Sequence, residues 1–271
     1  MSNQEIINFA NHLADISGDV IKKYFRQDFG EITKDNETPV TIADRESETV
    51  MRDAILTKFP THGIIGEEFG AINPDAKYQW VLDPIDGTIS FVMGRPIFGT
   101  LIALCENGVP ILGVINQPIN GDRWLGTESR GLGELLGLEN CATFNDKKMN
   151  VRKCSDLSEA ILGSTSPHFF KGKDLETLNK ISIQTKYQSQ GGIIYGGDCY
   201  LFGLLAMGQI DIVIEQGLKN HDFAALVPVV KAAGGVITDW NGQELNLQSD
   251  GRVLACGDAQ LHRNILEILN N

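Results

Sequence analysis

The sequence predicts an α+β chain folded as a layered α-β-α-β-α sandwich, and two observations carry that expectation. The first half pairs two amphipathic helical stretches with short β-type runs and a hairpin signal, which reads as helices laid on a largely antiparallel sheet. The second half alternates strand and helix signals, which reads as helices packed on both faces of a second, mixed sheet. A length of 271 residues suits one large domain or two fused lobes with a real core. The pattern changes near residues 140–155, which we write as lobes 1–145 and 146–271.

Ile6, Phe9, Leu13, Ile16, Val20 and Tyr24 recur close to the helical period, and Val50, Met51, Ala54 and Ile55 repeat it before Phe59-Pro60 ends the stretch. Strand-like runs follow at 63–66, 80–83, 98–105 and 111–117. The last two are joined through Asn107-Gly108, a two-residue hairpin signal. Beyond a glycine-rich turn and polar stretch near 137–150, the expected elements are strands at 160–164, 193–195, 210–215, 236–238 and 253–256. Helices are expected between and after them at 174–183, 198–208, 222–233 and 259–269. Pro228 should kink the third of these.

Composition removes several function classes. With 35 acidic against 23 basic residues and a net charge of −12, the chain has no basic stripe for a polyphosphate backbone, so nucleic acid is not an expected partner. No run of 18 apolar residues exists to span a membrane. The opening MSNQEIINFANHLAD lacks the basic and apolar regions of a secretory signal. Cys105, Cys141, Cys154, Cys199 and Cys256 are odd in number and never spaced as CxxC, which argues against a disulfide framework or a cysteine zinc site. A cytoplasmic location is the expectation. His12, His62, His168, His221 and His262 form no HxxxH pair; GxSxG and GxxxxGK[ST] are absent, and the run 131–137 does not fit GxGxxG.

The chemistry concentrates in carboxylates at the ends of apolar elements. The run 80–83 delivers Asp83 to a strand end. Pro84 fixes a torsion and Asp86 follows just before Gly87-Thr88, so two carboxylates and the Ile85 carbonyl can turn toward one point suited to Mg²⁺. A helix beginning at Gly87 would aim free N–H groups at the same point and hold a phosphate. The same residues also make an ordinary turn. Glu67 and Glu68 end another short apolar run, where a solvated loop is the alternative. Asp44 stands just before the second helix, where an N-cap is the alternative. Asp222 opens a helix and has the same alternative. Four such motifs together favour a multi-metal site, because clustered carboxylates repel unless cations neutralise them.

Gly66-Glu67-Glu68, Asp83-Pro84-Ile85-Asp86-Gly87-Thr88, and His221-Asp222 with a downstream Ala233-Gly234-Gly235 resemble the Mg²⁺-dependent inositol monophosphatase-like phosphatases, and Thr41-Ile42-Ala43-Asp44 matches that family's upstream motif. The resemblance runs in family order from about residue 41 to 235. It implies the αβαβα sandwich of that family and hydrolysis of a phosphate monoester by a metal-activated water, with two to three Mg²⁺ per site. Glu67, Asp83 and the Ile85 carbonyl would hold one ion, and Asp83, Asp86 and Asp222 a second. Asp44 would serve a third. Glu67 and Thr88 would activate the water, and Gly87 and Thr88 would bind the phosphate. A homodimer is implied as well. His221 stands where the family often has Trp, and the resemblance gives it no role.

Two departures bear on the substrate. The central motif continues as Ile89-Ser90-Phe91 where many inositol enzymes have Asn at the Ser position, and Tyr195-Gly196-Gly197-Asp198-Cys199-Tyr200 carries Asp198 where they commonly have Ala. Both are similar to the histidinol-phosphate phosphatases of the same superfamily. Inositol offers only hydroxyls, whereas histidinol phosphate carries an ammonium that Asp198 and Glu215 can bind by charge-assisted hydrogen bonds. The alternatives are that Asp198 caps its helix and that Glu215 ends a strand at the surface. The substrate contacts expected are Ser90, Gly197, Asp198, Glu215 and Asp222. The leading expectation is therefore an L-histidinol-phosphate phosphatase; the alternatives are an inositol-1-phosphate or broad phosphomonoesterase, or an inactive regulatory or assembly subunit on the same fold.

Overall fold

Helices α1 (Asn3–Tyr24) and α2 (Pro39–Lys58) form an outer layer. The computed structural model describes residues 3–27, 39–129, 140–187, 189 and 193–270, so the run 131–137 and the start of the expected 137–150 turn lie outside the described residues. The apolar face read from the sequence is the face that buries. Ile6, Phe9 and Leu13 of α1 and Met51 and Ile55 of α2 pack on Trp80, Leu82, Ile102, Leu104, Leu112 and Val114. Those partners are alternate residues along strands, as a pleated sheet requires.

The first sheet has seven strands in chain order: β1 (Gly63–Gly66), β2 (Tyr78–Asp86), β3 (Gly99–Glu106), β4 (Val109–Gln117), β5 (Asp122–Thr127), β6 (Cys141–Phe144) and β7 (Lys147–Lys148). β1 runs parallel to β2, and every later pair is antiparallel. Asn107 and Gly108 take φ of 49° and 78°, the left-handed pair that a tight hairpin needs.

The remaining α-helices of the described residues are α3 (Thr88–Val92), α4 (Lys173–Ser182), α5 (Asp198–Ala206), α6 (Asn220–Phe223), α7 (Leu226–Ala232) and α8 (Ala259–Asn270). The second sheet combines β8 (Leu162–Ser164), β9 (Ile193–Tyr195), β10 (Ile212–Glu215), β11 (Val236–Thr238) and β12 (Val253–Cys256) in the order β11-β12-β10-β8-β9. Its β10-β8-β9 part is parallel and its β11-β12-β10 part antiparallel.

Alternation along the strands builds the layers. Val81, Leu101, Ala103 and Ile115 of the first sheet, and Val213, Val253 and Ala255 of the second, enclose α5 and α7. Ile212, Ile214, Leu254 and Cys256 face the other way, onto Leu178 and Ile181 of α4 and Leu261 and Ile265 of α8. The order of layers is α-β-α-β-α, as expected. No helix of the described residues is long and apolar enough to cross a membrane.

Two expectations need correction. Helix α2 begins at Pro39, so Asp44 lies inside it rather than before it; Pro39 is itself a good first helical residue. The helix expected over 222–233 is two helices, α6 and α7, and Pro228 sits in the first turn of α7. An N–H there has no intrahelical partner to lose, so proline costs little and no mid-helix kink forms.

Helix α7 rests directly on the first sheet. A Cβ at Gly113 would fall 2.0 Å from the Ala225 carbonyl oxygen, and one at Gly126 would fall 2.4 Å from the Pro228 carbonyl oxygen. Both obstacles are backbone and cannot swing aside. Gly126→Ala should therefore destabilise the fold by about 1–3 kcal/mol or more, as overpacking of a filled core does. A thermal melt showing an unchanged Tm would refute this seating.

Candidate active site

The strand β2 ends in an irregularity that the site depends on. Its register against β3 shifts between Asp83 and Asp86, so Pro84 and Ile85 bulge out of the ladder. Thr100 donates its hydroxyl to the Pro84 carbonyl at 2.9 Å, and the Ile85 N–H donates to Asp83 Oδ1 at 3.1 Å. The Ile85 side chain is buried with Phe91 and Phe98, which leaves only its carbonyl for a ligand role. The Thr88 hydroxyl lies 3.4 Å from that carbonyl. Gly87, at φ 89°, turns the chain into α3.

Around this bend the structure gathers most of the acids expected from the sequence. Carboxylate oxygens of Asp83, Asp86 and Asp222 lie within 4.8 Å of one another, and ligand atoms of Glu67, Asp83 and His221 form a second group of the same size. Asp83 belongs to both. Glu67 follows β1, and its N–H donates to the Leu82 carbonyl at 3.2 Å, tying the two strand ends together. Asp44 stays outside these close groups but is buried on α2, and its Oδ1 has no hydrogen-bond partner.

Burial, reinforced by neighbouring carboxylates, pushes Asp83 and Asp86 well above the ordinary aspartate range. Asp44 is pushed up to about 8 by burial, then by the charges of Glu67, Glu68 and Glu48. Clustered acids under this strain are what a divalent cation relieves.

The capping alternatives resolve differently at each residue. Asp222 does both jobs: Oδ2 accepts the Lys219 N–H at 2.7 Å, while an oxygen still reaches the Asp83/Asp86 cluster. Asp198 does not cap α5, whose N-cap is Gly197 with no side-chain cap. The α5 cap is instead Asp86, whose Oδ2 accepts the Cys199 N–H at 2.6 Å across 113 residues.

Asp198 follows Gly196 and Gly197 in the left-handed region, at φ 43°, a conformation that costs a non-glycine residue about 1 kcal/mol. Its carboxylate is thereby turned toward the β2–α3 bend: a Cβ on Gly87 would lie 2.7 Å from Asp198 Oδ2. Burial and the Asp222 charge raise Asp198 to about 6, while Arg95 and the Ser90 hydroxyl hold it down. Ser90 is thus a buried donor to Asp198.

Glu215 is 1% exposed, so it is not a surface strand end. Its Oε1 accepts the Thr165 N–H at 2.6 Å, its Oε2 is buried without a partner, and burial lifts it to about 8. The neighbouring Ser164 hydroxyl, at the end of β8, is also buried and unpaired.

Sequence reasoning missed Ser164, and it missed a clamp on α2. Glu48, fully buried, accepts the Glu68 N–H at 2.8 Å, the Phe69 N–H at 3.2 Å and the Arg52 Nε at 2.6 Å. Arg52 in turn donates to the Phe69 and Gly70 carbonyls. The loop carrying Glu67 is therefore bolted to the helix carrying Asp44. The spacing Asp44, Glu48, Arg52 was a legible helical stripe of i,i+4 partners.

A family model described as the inositol monophosphatase family matches residues 2–271. The chain belongs to this family. Among its relatives is the Arabidopsis thaliana protein described as a chloroplastic bifunctional phosphatase IMPL2, 43% identical, with 99% of this chain and 77% of that one covered. A Chlorobaculum parvum histidinol-phosphatase is 32% identical over 98% of this chain and 96% of its own. An inositol monophosphatase from Zymomonas mobilis superposes with a TM-score of 0.89 at 41% identity, covering 100% of both chains. The protein is thus a phosphatase of the inositol monophosphatase family, a Mg²⁺-dependent family, and its residues fit such an ion. The Asp83, Asp86 and Asp222 donors are hard oxygens held within 4.8 Å of one another, and the buried Asp44 Oδ1 has no other partner.

Glu48→Ala would strand the Arg52 guanidinium and two loop N–H groups. Breaking a buried pair in this way costs about 3–5 kcal/mol, so a Tm drop of roughly 6–15 °C and weaker Mg²⁺ binding by calorimetry are expected. A Tm within about 1 °C of the parent would refute the clamp.

The raised acids also set a pH dependence. Asp44, at about 8 when folded against a reference of 3.8, binds a proton in the folded state that the unfolded chain has lost. That stability is fully present below the unfolded value and is lost as pH rises through about 8. Metal-free protein should therefore melt several degrees lower at pH 8.5 than at pH 5.5, Asp44→Asn should flatten this slope, and Mg²⁺ should restore Tm most at the higher pH. An unaltered slope in Asp44→Asn would count against the assignment.

Proposed function

We propose that this phosphatase hydrolyses L-histidinol phosphate to L-histidinol and phosphate. The observation that carries the reading is the placement of Asp198, turned by a left-handed backbone toward the bend at Gly87 where the phosphate would sit. A carboxylate at about 6 is ionised at neutral pH and attracts the substrate's ammonium. Glu215, with one buried oxygen unpaired, offers a second acceptor, and a cation arriving beside it would favour its charged form. The description of one relative as a histidinol-phosphatase supports this reading.

In the same reading Glu67, Asp83, the Ile85 carbonyl, Asp86 and Asp222 would hold two Mg²⁺, and Asp44 would serve a third. Ions held there would polarise the phosphoryl oxygens as Lewis acids and lower the pKa of the attacking water. Glu67 and Thr88 orient that water, and Glu67 accepts its proton. The Gly87 and Thr88 N–H groups hold the phosphate oxygens. Asp198, Ser90, Gly197 and Glu215 fix the alcohol portion, so the leaving oxygen is presented in line with the attack.

Inositol 1-phosphate is the second reading, favoured by the structural likeness to an enzyme described as an inositol monophosphatase. Phosphate release from equal concentrations of the two substrates with Mg²⁺ separates them; a preference for inositol 1-phosphate would overturn the first. Turnover of neither, in protein that binds Mg²⁺, would favour a regulatory subunit. Asp198→Ala should lower kcat/KM for histidinol phosphate about 10- to 100-fold, the worth of a charge-assisted hydrogen bond, with a much smaller loss on an uncharged monoester. Equal losses on both would remove Asp198 from substrate recognition.

A further inference from the structure

One imidazole stands among the carboxylates with no task in the mechanism above. His221 lies in α6 immediately before Asp222, and its side chain is 9% exposed. Its Nε2 is buried and has no hydrogen-bond partner. That atom lies 3.9 Å from Glu67 Oε1 and 3.3 Å from Asp222 Oδ1. With Asp83 and Glu67 it completes a group of ligand atoms all within 4.8 Å of one another.

The residues that flank His221 are fixed in place. On one side the Lys219 N–H is bonded to Asp222 Oδ2, and on the other Phe223 is fully buried in the core between the sheets. A nitrogen lone pair or N–H withdrawn from water and left unpaired is costly, so its place in a cluster of metal-binding character asks for a partner. The spacing suits an ion. Neighbouring ligands of an octahedral centre with bonds of about 2.1 Å lie roughly 3.0 Å apart and opposite ones roughly 4.2 Å.

We propose that His221 Nε2 is a direct ligand at the Glu67/Asp83 metal position, and that this position selects Mn²⁺ over Mg²⁺. The proposal rests on the reading that Glu67 and Asp83 hold a metal. Mg²⁺ favours an all-oxygen octahedron and gives up its waters reluctantly, so an imidazole adds little for it. Mn²⁺ accepts the same carboxylate and carbonyl oxygens and, as a first-row transition ion, loses less than Mg²⁺ does when one oxygen is replaced by nitrogen. The Asp83/Asp86/Asp222 position has only oxygen donors in its close group and keeps the Mg²⁺ character. The site would then be asymmetric, one position suited to each ion.

The test uses the full-length chain stripped of metal. Mn²⁺ is titrated in and followed by electron paramagnetic resonance, with Mg²⁺ as competitor, and pulsed spectra are recorded on the bound ion. Wild-type protein is expected to show modulation from a directly coordinated ¹⁴N that changes to the ¹⁵N pattern when the histidines are ¹⁵N-labelled. This measurement needs no variant. In His221→Gln the nitrogen coupling should vanish and Mn²⁺ affinity should fall about tenfold or more, since even supporting residues around a metal are worth 10- to 100-fold. Mg²⁺ affinity should fall less, so the Mn²⁺/Mg²⁺ ratio drops. Bound Mn²⁺ without nitrogen coupling overturns the proposal and leaves the acidic site standing. Folded protein that binds neither ion overturns both this proposal and the active-site reading beneath it.

Discussion

Asp83 and Asp86 stand at the end of an apolar strand where burial and like charges both oppose their ionisation. Holding such groups in place demands compensation, and much of the surrounding structure supplies it. The Cys199 N–H serves Asp86, the Ile85 N–H serves Asp83, and the Lys219 N–H serves Asp222. Each is a backbone donor from a different segment, so each carboxylate pins a separate piece of chain. What those donors leave unbalanced is the net negative charge, and a divalent cation answers that directly.

The layered fold explains how groups so far apart in sequence reach one point. The strand ends of β1 and β2 deliver Glu67, Asp83 and Asp86 from the first sheet; β8 and β10 deliver Ser164 and Glu215 from the second. Between them the central helix layer contributes Asp198 and Asp222 at the starts of α5 and α6. That layer can sit close enough because glycine stands where the helix backbone crosses β4 and β5. The outer helix α2 completes the enclosure from the opposite side with Asp44 and the Glu48–Arg52 clamp.

The layers and most of the acids were legible because they leave short-range marks. Alternation in β2 and β3, the helical stripe of α1 and the Asn107-Gly108 hairpin are each encoded within a few residues. Asp83 and Asp86 were readable because a strand end, a proline and a glycine adjoin them. What escaped depends on contacts at long range. That Asp86 rather than Asp198 caps α5 is fixed by a hydrogen bond between segments 113 residues apart. Asp44 was misplaced relative to α2 because the helical period was read only from Val50 onward, although Pro39 marks the start. The break between α6 and α7 turns on tertiary seating against β4 and β5, and the buried state of Glu215 on the neighbouring β8, neither of which local pattern records.

The bond from Asp86 to the Cys199 N–H has a consequence for residue 198. It fastens the backbone next to residue 198 to the strand that carries Asp83 and Asp86, while the side chain of residue 198 is left out of the fastening. The side chain of residue 198 can therefore change, carboxylate for methyl or the reverse, while the backbone beside it and the strand carrying Asp86 keep their registration.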